Sequence, residues 1–261
     1  MGHGSLTVPV SVVVIAQNEE HNIARCLTSV QWAAERIVVD GGSSDRTGQL
    51  ARDLRARVFR HPWSGYGPQK NFGIEQAGQP WILNIDADEE VTPALATEID
   101  RNLAHGVPEV AFRVHVPTIF LGRPLGHYGR ASSDPGHIRL FRKDAGRFDA
   151  RRVHEVVRVV GPVGWLQAPV LHHCYPTPRT YWRKIHQYAR LEANERAASG
   201  PARHNPWARA TGKLGWMLVI RRGLLAGPLA WLWIAGQAYQ EWLTVTQANR
   251  LIHGAERGVI D

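Results

Sequence analysis

The chain has 261 residues, 44% hydrophobic and 21% charged, with two cysteines and a formal net charge of +8. That size and balance support a core of one or two domains and exclude a wholly disordered, collagen-like or coiled-coil chain. The charge is unevenly spread: residues 1–100 hold 8 Lys and Arg against 13 Asp and Glu, or −5, and residues 101–261 hold 23 against 10, or +13. An acidic front suits a cation, and a basic rear suits an anionic partner. Cys26 and Cys174 belong to no Cys-x-x-Cys pair, so a reducing cytoplasm is expected rather than a disulfide framework or a zinc site. The run Val8 to Ala16 is too short for a signal sequence and reads as a first strand.

Pro9 to Ile15 is a β-branched run without alternation, the pattern of a parallel strand buried on both faces. Asn18 to Asn22 then form a strand-to-helix turn, with Ile23, Leu27 and Val30 at helical spacing. Arg36 to Asp40 predict a second strand, Gly41 to Thr47 a Gly/Ser-rich turn, and Gly48 to Arg55 a helix. Val58-Phe59 give a short third strand. The glycine-rich loop Trp63 to Pro68 precedes a helix carrying Lys70, Asn71 and Ile74. Trp81 to Ile85 form a fourth strand that ends at Asp86-Ala-Asp88, with a turn over Glu89 to Pro93. The expected fold is α/β, an open and mostly parallel sheet with helices on both faces and a ligand crevice along its carboxyl edge. Trp32, Trp63 and Trp81 read as core residues.

That edge lacks both a Gly-x-Gly-x-x-Gly fingerprint and a P-loop, which removes support for hydride transfer and P-loop ATP hydrolysis. It carries instead Glu19 and Glu20, Asp40, Asp45, and the Asp86/Asp88 pair. Two carboxylates at a strand end are hard oxygen ligands that suit Mg²⁺ or Mn²⁺ bearing a diphosphate. Asp40, at a second strand end, is placed to accept hydrogen bonds from a ribose or base.

Val12-Val-Val-Ile-Ala-Gln-Asn-Glu-Glu20, Ile37-Val-Val-Asp-Gly-Gly-Ser-Ser-Asp-Arg-Thr47, Gln69-Lys-Asn71 and Ile82-Leu-Asn-Ile-Asp-Ala-Asp-Glu-Glu90 resemble the ordered motifs of inverting family-two glycosyltransferases of the GT-A fold. The resemblance is to the bacterial lipopolysaccharide-core glucosyltransferase branch. It is most specific over residues 8–95. It implies that Asn18, Glu19 and Asp40 hold the nucleoside, with Asp45 and Lys70 near it. Asp86 and Asp88 would sit at the diphosphate, Asp88 as the clearer metal ligand. It also implies a domain over residues 6–178, with a nucleotide-sugar half (6–100) and an acceptor half (101–178), followed by a helical region at 179–261.

Inversion needs a base on the far side of the anomeric carbon. Arg151-Arg-Val-His-Glu155 resembles the branch's Val-His-Glu segment, which assigns that role to Glu155 and a structural or acceptor-facing role to His154. By the same resemblance His172 could complete the metal or diphosphate site. Arg139 could clamp phosphate through a bidentate pair, with Leu140 and Phe141 as strand packing. The turn-rich stretch Gly122 to Gly136 is expected to shape the acceptor pocket.

Thr180 to Ala198 reads as an amphipathic helix with Trp182, Ile185, Tyr188 or Ala189, and Leu191 on its apolar face. Leu214 to Ile220 and Gly223 to Gly236 are apolar pieces separated by Arg221-Arg222, each shorter than the roughly 20 residues a span needs. With Trp216, Trp231, Trp233 and Trp242, they suggest a segment lying on an anionic membrane surface at the inner face of the cytoplasmic membrane. A helical hairpin covering the sheet is the competing reading.

The acidic edge suits a cation-assisted nucleotide-diphosphate site, and the resemblance implies a metal-dependent, inverting transfer from a nucleotide-sugar donor, a UDP-hexose, to a lipopolysaccharide-core or other glycan or lipid-linked acceptor. Transfer to a polyprenyl phosphate, which needs no base, is the alternative within the fold. A non-catalytic nucleic-acid-binding module is the alternative outside it. Scattered basic residues and an acidic sheet edge argue against a nucleic-acid partner.

Overall fold

The computed structural model describes residues 8–125, 136–149, 156–200 and 204–257. The chain forms two compact units, residues 1–117 with 133–173 and residues 118–132 with 174–261. In chain order the first unit begins with β1 (Val8–Ala16), α1 (Ile23–Thr28), β2 (Ala33–Asp40), α2 (Thr47–Asp53), β3 (Arg57–Arg60) and α3 (Tyr66–Glu75). It continues with β4 (Trp81–Asp86), β5 (Glu89–Val91), α4 (Pro93–Ala104) and β6 (Ala111–Val114). The second unit takes β7 (Thr118–Phe120) and β8 (Arg123–Pro124). The chain then returns to the first unit with β9 (His137–Arg142), β10 (Gly146–Phe148), β11 (Val157–Val159), β12 (Val163–Trp165) and most of β13 (Val170–Tyr175). The helices α5 (Pro178–Ala198), α6 (Pro206–Gly215) and α7 (Pro228–Arg257) complete the second unit.

The first unit is built on a seven-stranded sheet of order β12-β6-β9-β4-β1-β2-β3. β9 is antiparallel to β4 and β6, and the other pairings are parallel. Every residue of β1 except Pro9 is buried, as its β-branched run requires of a central strand covered on both faces. Val10, Val12 and Val14 pack with α1, α2 and α4, while Val13 and Ile15 pack with α3 and the β10–β11 hairpin. The open, mostly parallel sheet with helices on both faces is thus the one the sequence implies. α3 approaches it closely: a Cβ on Gly73 would lie 2.5 Å from Val13 Cγ1 and 2.9 Å from Val39 Cγ2.

β2, α2 and β3 differ from expectation by one to three residues at an end, and three other boundaries differ for a visible reason. α1 stops at Thr28, and Val30 is buried in the turn beyond it. α3 starts inside the glycine-rich loop, directly after Gly65 at φ +114°. Glu89 to Val91 is a strand rather than a turn, because it pairs with β13; Thr92 then caps α4, its hydroxyl accepting from Leu95 N at 3.2 Å. Trp32 and Trp81 pack against the core as expected, whereas Trp63 is 41% exposed.

In the second unit Phe120, Tyr175, Tyr181 and Trp233 form an aromatic cluster with Ile185, Met217 and Ile234. α5 buries Tyr181, Ile185, Ala189 and Ala193, so Trp182 and Leu191, expected on its apolar face, lie exposed. No helix among the described residues is long and apolar enough to cross a membrane.

One carboxylate joins the three helices. Glu241 on α7 accepts from Arg196 Nη1 and Nη2 on α5 at 2.9 and 3.0 Å, and from Arg209 Nε on α6 at 3.1 Å, with Lys213 Nζ at 3.8 Å. Burial pushes its pKa up, but Arg196, Lys213 and Arg209 together hold it below the usual carboxylate value. A depressed pKa means stability present above the ordinary glutamate range and lost as pH falls through the folded value. Glu241→Gln should therefore lower unfolding stability by about 1–3 kcal/mol at neutral pH. In urea titrations the gap to the wild-type chain should close in acid, where Glu241 itself is protonated.

Candidate active site

The ends of β1 and β2 are stitched to each other by their turns. Asn18, held at φ +57°, accepts through Oδ1 from Ser44 N (2.9 Å) and Ser44 Oγ (3.1 Å), and its own N–H donates to Ser43 Oγ (3.0 Å). Glu19 N donates to Thr47 Oγ1 at 2.8 Å, and Glu20 N to Asp45 Oδ2 at 3.2 Å. Asp40 Oδ1 accepts from Gly42 N and Ser43 N at 3.1 and 2.7 Å. Burial would raise the Asp45 pKa, but hydrogen bonds from Thr47 and Glu20 outweigh it and keep the group below its ordinary value. Asn18, Glu19, Asp40 and Asp45, all predicted at the nucleoside, thus meet on one rim whose shape is fixed by their own hydrogen bonds. Trp63 stands beside this rim: a Cβ on Gly41 would fall 3.1 Å from its ring, and Tyr66 meets it edge-on at 4.9 Å.

At the end of β4, Lys70 Nζ lies 3.1 Å from Asp86 Oδ1, and Arg139 Nη2 lies 3.5 Å from Asp86 Oδ2 and 2.5 Å from Glu89 Oε1. Burial would raise the Asp86 pKa, but the Lys70 and Arg139 cations outweigh it and hold the carboxyl well below the usual range. Burial pushes Glu89 up, against the pull of Arg139. Lys70, expected near the nucleoside, sits on Asp86, because α3 places it over the end of β4. Arg139, expected to clamp phosphate, projects from β9 onto Asp86 and Glu89. Glu89, not among the expected site residues, is buried while Glu90 is not, an in-out alternation that marks the strand.

β13 lies antiparallel to β5, pairing His172 with Glu89. The ladder sets His172 Nε2 at 3.3 Å from Asp88 Oδ2, while His173 Nε2 lies 2.7 Å from Glu90 Oε2. A carboxylate and an imidazole side by side suit Mg²⁺ or Mn²⁺, whose remaining positions are commonly filled by phosphate oxygens and water. Asp86, the third expected ligand, faces Lys70 through Oδ1 and Arg139 through Oδ2. Among the described residues no cluster of three His, Cys, Asp or Glu is disposed to hold a metal ion.

Residues 11–112 match the model of glycosyl transferase family 2. The chain is 33% identical over 200 residues to the lipopolysaccharide core biosynthesis glycosyltransferase LpsC of Rhizobium meliloti, covering 74% of this chain and 73% of that protein. The chain belongs to glycosyl transferase family 2. An uncharacterized glycosyltransferase of Rickettsia typhi is 44% identical over 92 residues, 35% of this transferase and 32% of that protein, so the match spans about a third of that relative's length. Among solved structures, S. aureus TarS 1-349 in complex with UDP aligns with 15% identity and a TM-score of 0.44 over 95% of the transferase and 91% of that chain.

Glu155, with Arg151, Arg152 and His154, lies outside the described residues, as do residues 126–135 of the turn-rich stretch. The flanks of residues 150–155 are anchored. β10 and β11 pair Phe148 with Val157, and Asp149 N donates to Val156 O at 3.1 Å. Asn71 donates through Nδ2 to Phe148 O at 2.9 Å and accepts from Phe148 N at 3.0 Å, and Lys70 Nζ lies 5.2 Å from the Phe148 ring centroid. The Gln69-Lys-Asn71 motif thereby ties the strand leading to Glu155 to the same helix that supports Asp86. Gln69 serves the fold, donating through Nε2 to His61 O at 3.0 Å.

Lys70→Met removes one of the two cations on Asp86. It should cost about 1–3 kcal/mol at neutral pH, less than the loss of a fully buried pair because Asp86 is partly solvated. The depressed Asp86 pKa places the wild-type stabilisation above the ordinary aspartate range and removes it as pH falls through the folded value. Urea unfolding at a series of pH values should show the variant's deficit shrinking in acid, and adding Asp86→Asn should recover part of it.

Proposed function

We propose that this transferase moves a hexose, with inversion, from a UDP-sugar to a hydroxyl of a lipopolysaccharide-core or related envelope glycan. The observation that carries the reading is the Asp88–His172 pair placed next to a self-balanced cluster, in which two cations face two carboxylates. Such an edge offers little net positive charge to a diphosphate, so a cation is required to bring one there. Asp88 and His172 would hold a divalent metal ion, whose chemistry when bound is Lewis-acid neutralisation of the departing diphosphate.

The stitched rim of Asn18, Glu19, Asp40 and Asp45 supports the nucleoside at little ordering cost, since its turns are already fixed by the hydrogen bonds given above. Asp86, kept ionised by Lys70 and Arg139, accepts hydrogen bonds from donor hydroxyls throughout the neutral range. Glu155 takes the proton of the acceptor hydroxyl as that oxygen attacks the anomeric carbon. The bond from that carbon to the diphosphate breaks, and its electron pair leaves on the diphosphate oxygen. One displacement inverts the centre with no covalent sugar intermediate. The relationship to LpsC supports an envelope glycan as acceptor.

Glu155→Gln keeps the side chain's shape and removes the base. Transfer assayed with a panel of nucleotide sugars should fall by about 10²–10⁴-fold while donor binding is retained. Near-normal transfer to a hydroxyl acceptor by the variant would overturn the assignment.

A further inference from the structure

The connection between α6 and α7 is irregular and apolar. α6 runs into a π-helical turn (Trp216–Ile220), Arg222 adopts a left-handed conformation at φ +55°, and a 3₁₀ turn (Gly223–Leu225) leads to α7. The turn is pinned rather than slack. A Cβ on Gly223 would lie 2.7 Å from Met217 O and 2.6 Å from Ile234 Cδ1, and Trp231 Nε1 donates to Gly223 O at 3.0 Å. What this pinned turn presents to solvent is unusual for a surface: Val219, Ile220, Leu224 and Leu225 are 59–84% exposed, flanked by the exposed rings of Trp216 and Trp231. A fixed apolar projection of this kind marks an interaction site.

Charge identifies the occupant. Arg209 and Lys213 on α6 face Glu241, so the charge at the turn itself is that of Arg221 and Arg222, with no Asp or Glu between residues 214 and 240. Arg221 lies over the Trp216 ring at 5.3 Å, which sets a cation and an indole together at the border of the apolar tip. Apolar side chains at a tip, indoles at its rim and cations beside them match the layering of a bilayer face: acyl chains, interface, anionic headgroups. A second copy meeting this face about a two-fold axis would bring Arg221 and Arg222 against their own like. We propose that the α6–α7 turn is a membrane-insertion tip that inserts Leu224 and Leu225 into an anionic lipid surface. Trp233 and Trp242 are not part of it: Trp233 lies in the aromatic cluster and Trp242 packs against Trp207. The tip is independent of the donor and acceptor proposed above, because its test reads lipid binding rather than transfer.

The full chain should float with phosphatidylcholine vesicles that contain phosphatidylglycerol, and adding salt should weaken the association. Arg221→Gln with Arg222→Gln should reduce binding by roughly twenty-five-fold, at about fivefold per cation near an anionic surface. Leu224→Ser with Leu225→Ser should reduce it by at least about tenfold, with an unchanged circular dichroism spectrum because both side chains are exposed. Brominated phosphatidylglycerol should quench wild-type tryptophan emission and quench it less in Trp216→Phe, a readout that does not depend on the leucine variants. Failure of the wild-type chain to bind anionic vesicles, or full binding by the leucine variant, would overturn the proposal. So would a concentration-dependent dimer that the leucine variant abolishes, since the tip would then be a contact between copies.

Discussion

The placement of a buried ammonium against the Asp86 carboxylate is the interaction on which the rest of the site depends. Lys70 reaches Asp86 because α3 lies close upon the sheet, and α3 lies close because residue 73 has no Cβ to hold it off Val13 and Val39. One turn of helix therefore converts a packing constraint into an electrostatic one. With Arg139 on the opposite side, the pair keeps a carboxylate ionised where burial alone would favour its protonation. Glu89 completes the balance from β5, and β5 exists as a strand because β13 pairs with it. The same pairing carries His172 to Asp88. A short antiparallel ladder thus assembles carboxylate and imidazole from residues more than eighty positions apart.

The helix that carries Lys70 also organises the β10–β11 hairpin. Asn71 grips both backbone groups of Phe148, so the strand that precedes residues 150–155 is fixed to the helix that fixes Asp86. The rim at the ends of β1 and β2 is built on a different device. There the turns after β1 and β2 hold each other through Asn18, Ser43, Asp45 and Thr47, with positive φ at Asn18 and Gly42.

The sheet is legible in the sequence because central parallel strands are buried on both faces, so most of β1, Ile37–Val39 of β2 and Trp81–Leu83 of β4 read as apolar stretches without alternation. The residues at the strand ends were legible for the same reason: polar residues directly after such a run must lie at the sheet edge. What could not be read was which partner each charged group takes. Lys70, Arg139 and Glu89 meet only through the crossing of α3, β9 and β5, and local spacing carries no trace of that. Trp63 was read as core, yet the glycines at 41, 42, 65 and 67 leave few side chains to cover it. The buried face of α5 was misread because α5 packs through Ala189 and Ala193, whose small side chains give weak periodicity beside Trp182 and Leu191. Glu155, identified only by resemblance, lies outside the described residues.

The two units divide the chemistry of the chain as its charge does. The acidic carboxyl edge belongs to the first, the family-two domain, and the basic, apolar helices belong to the second. In the first, the proposed function makes Asp88 and His172 the metal end of a diphosphate site whose remaining charges are already balanced. Calorimetric titration of the full chain with UDP, with and without Mn²⁺, tests it most directly. UDP affinity should rise at least about tenfold with the metal, a gain of roughly 1.4 kcal/mol, and the gain should disappear in Asp88→Asn. Equal affinity with and without metal, or a metal effect that survives Asp88→Asn unchanged, would contradict it.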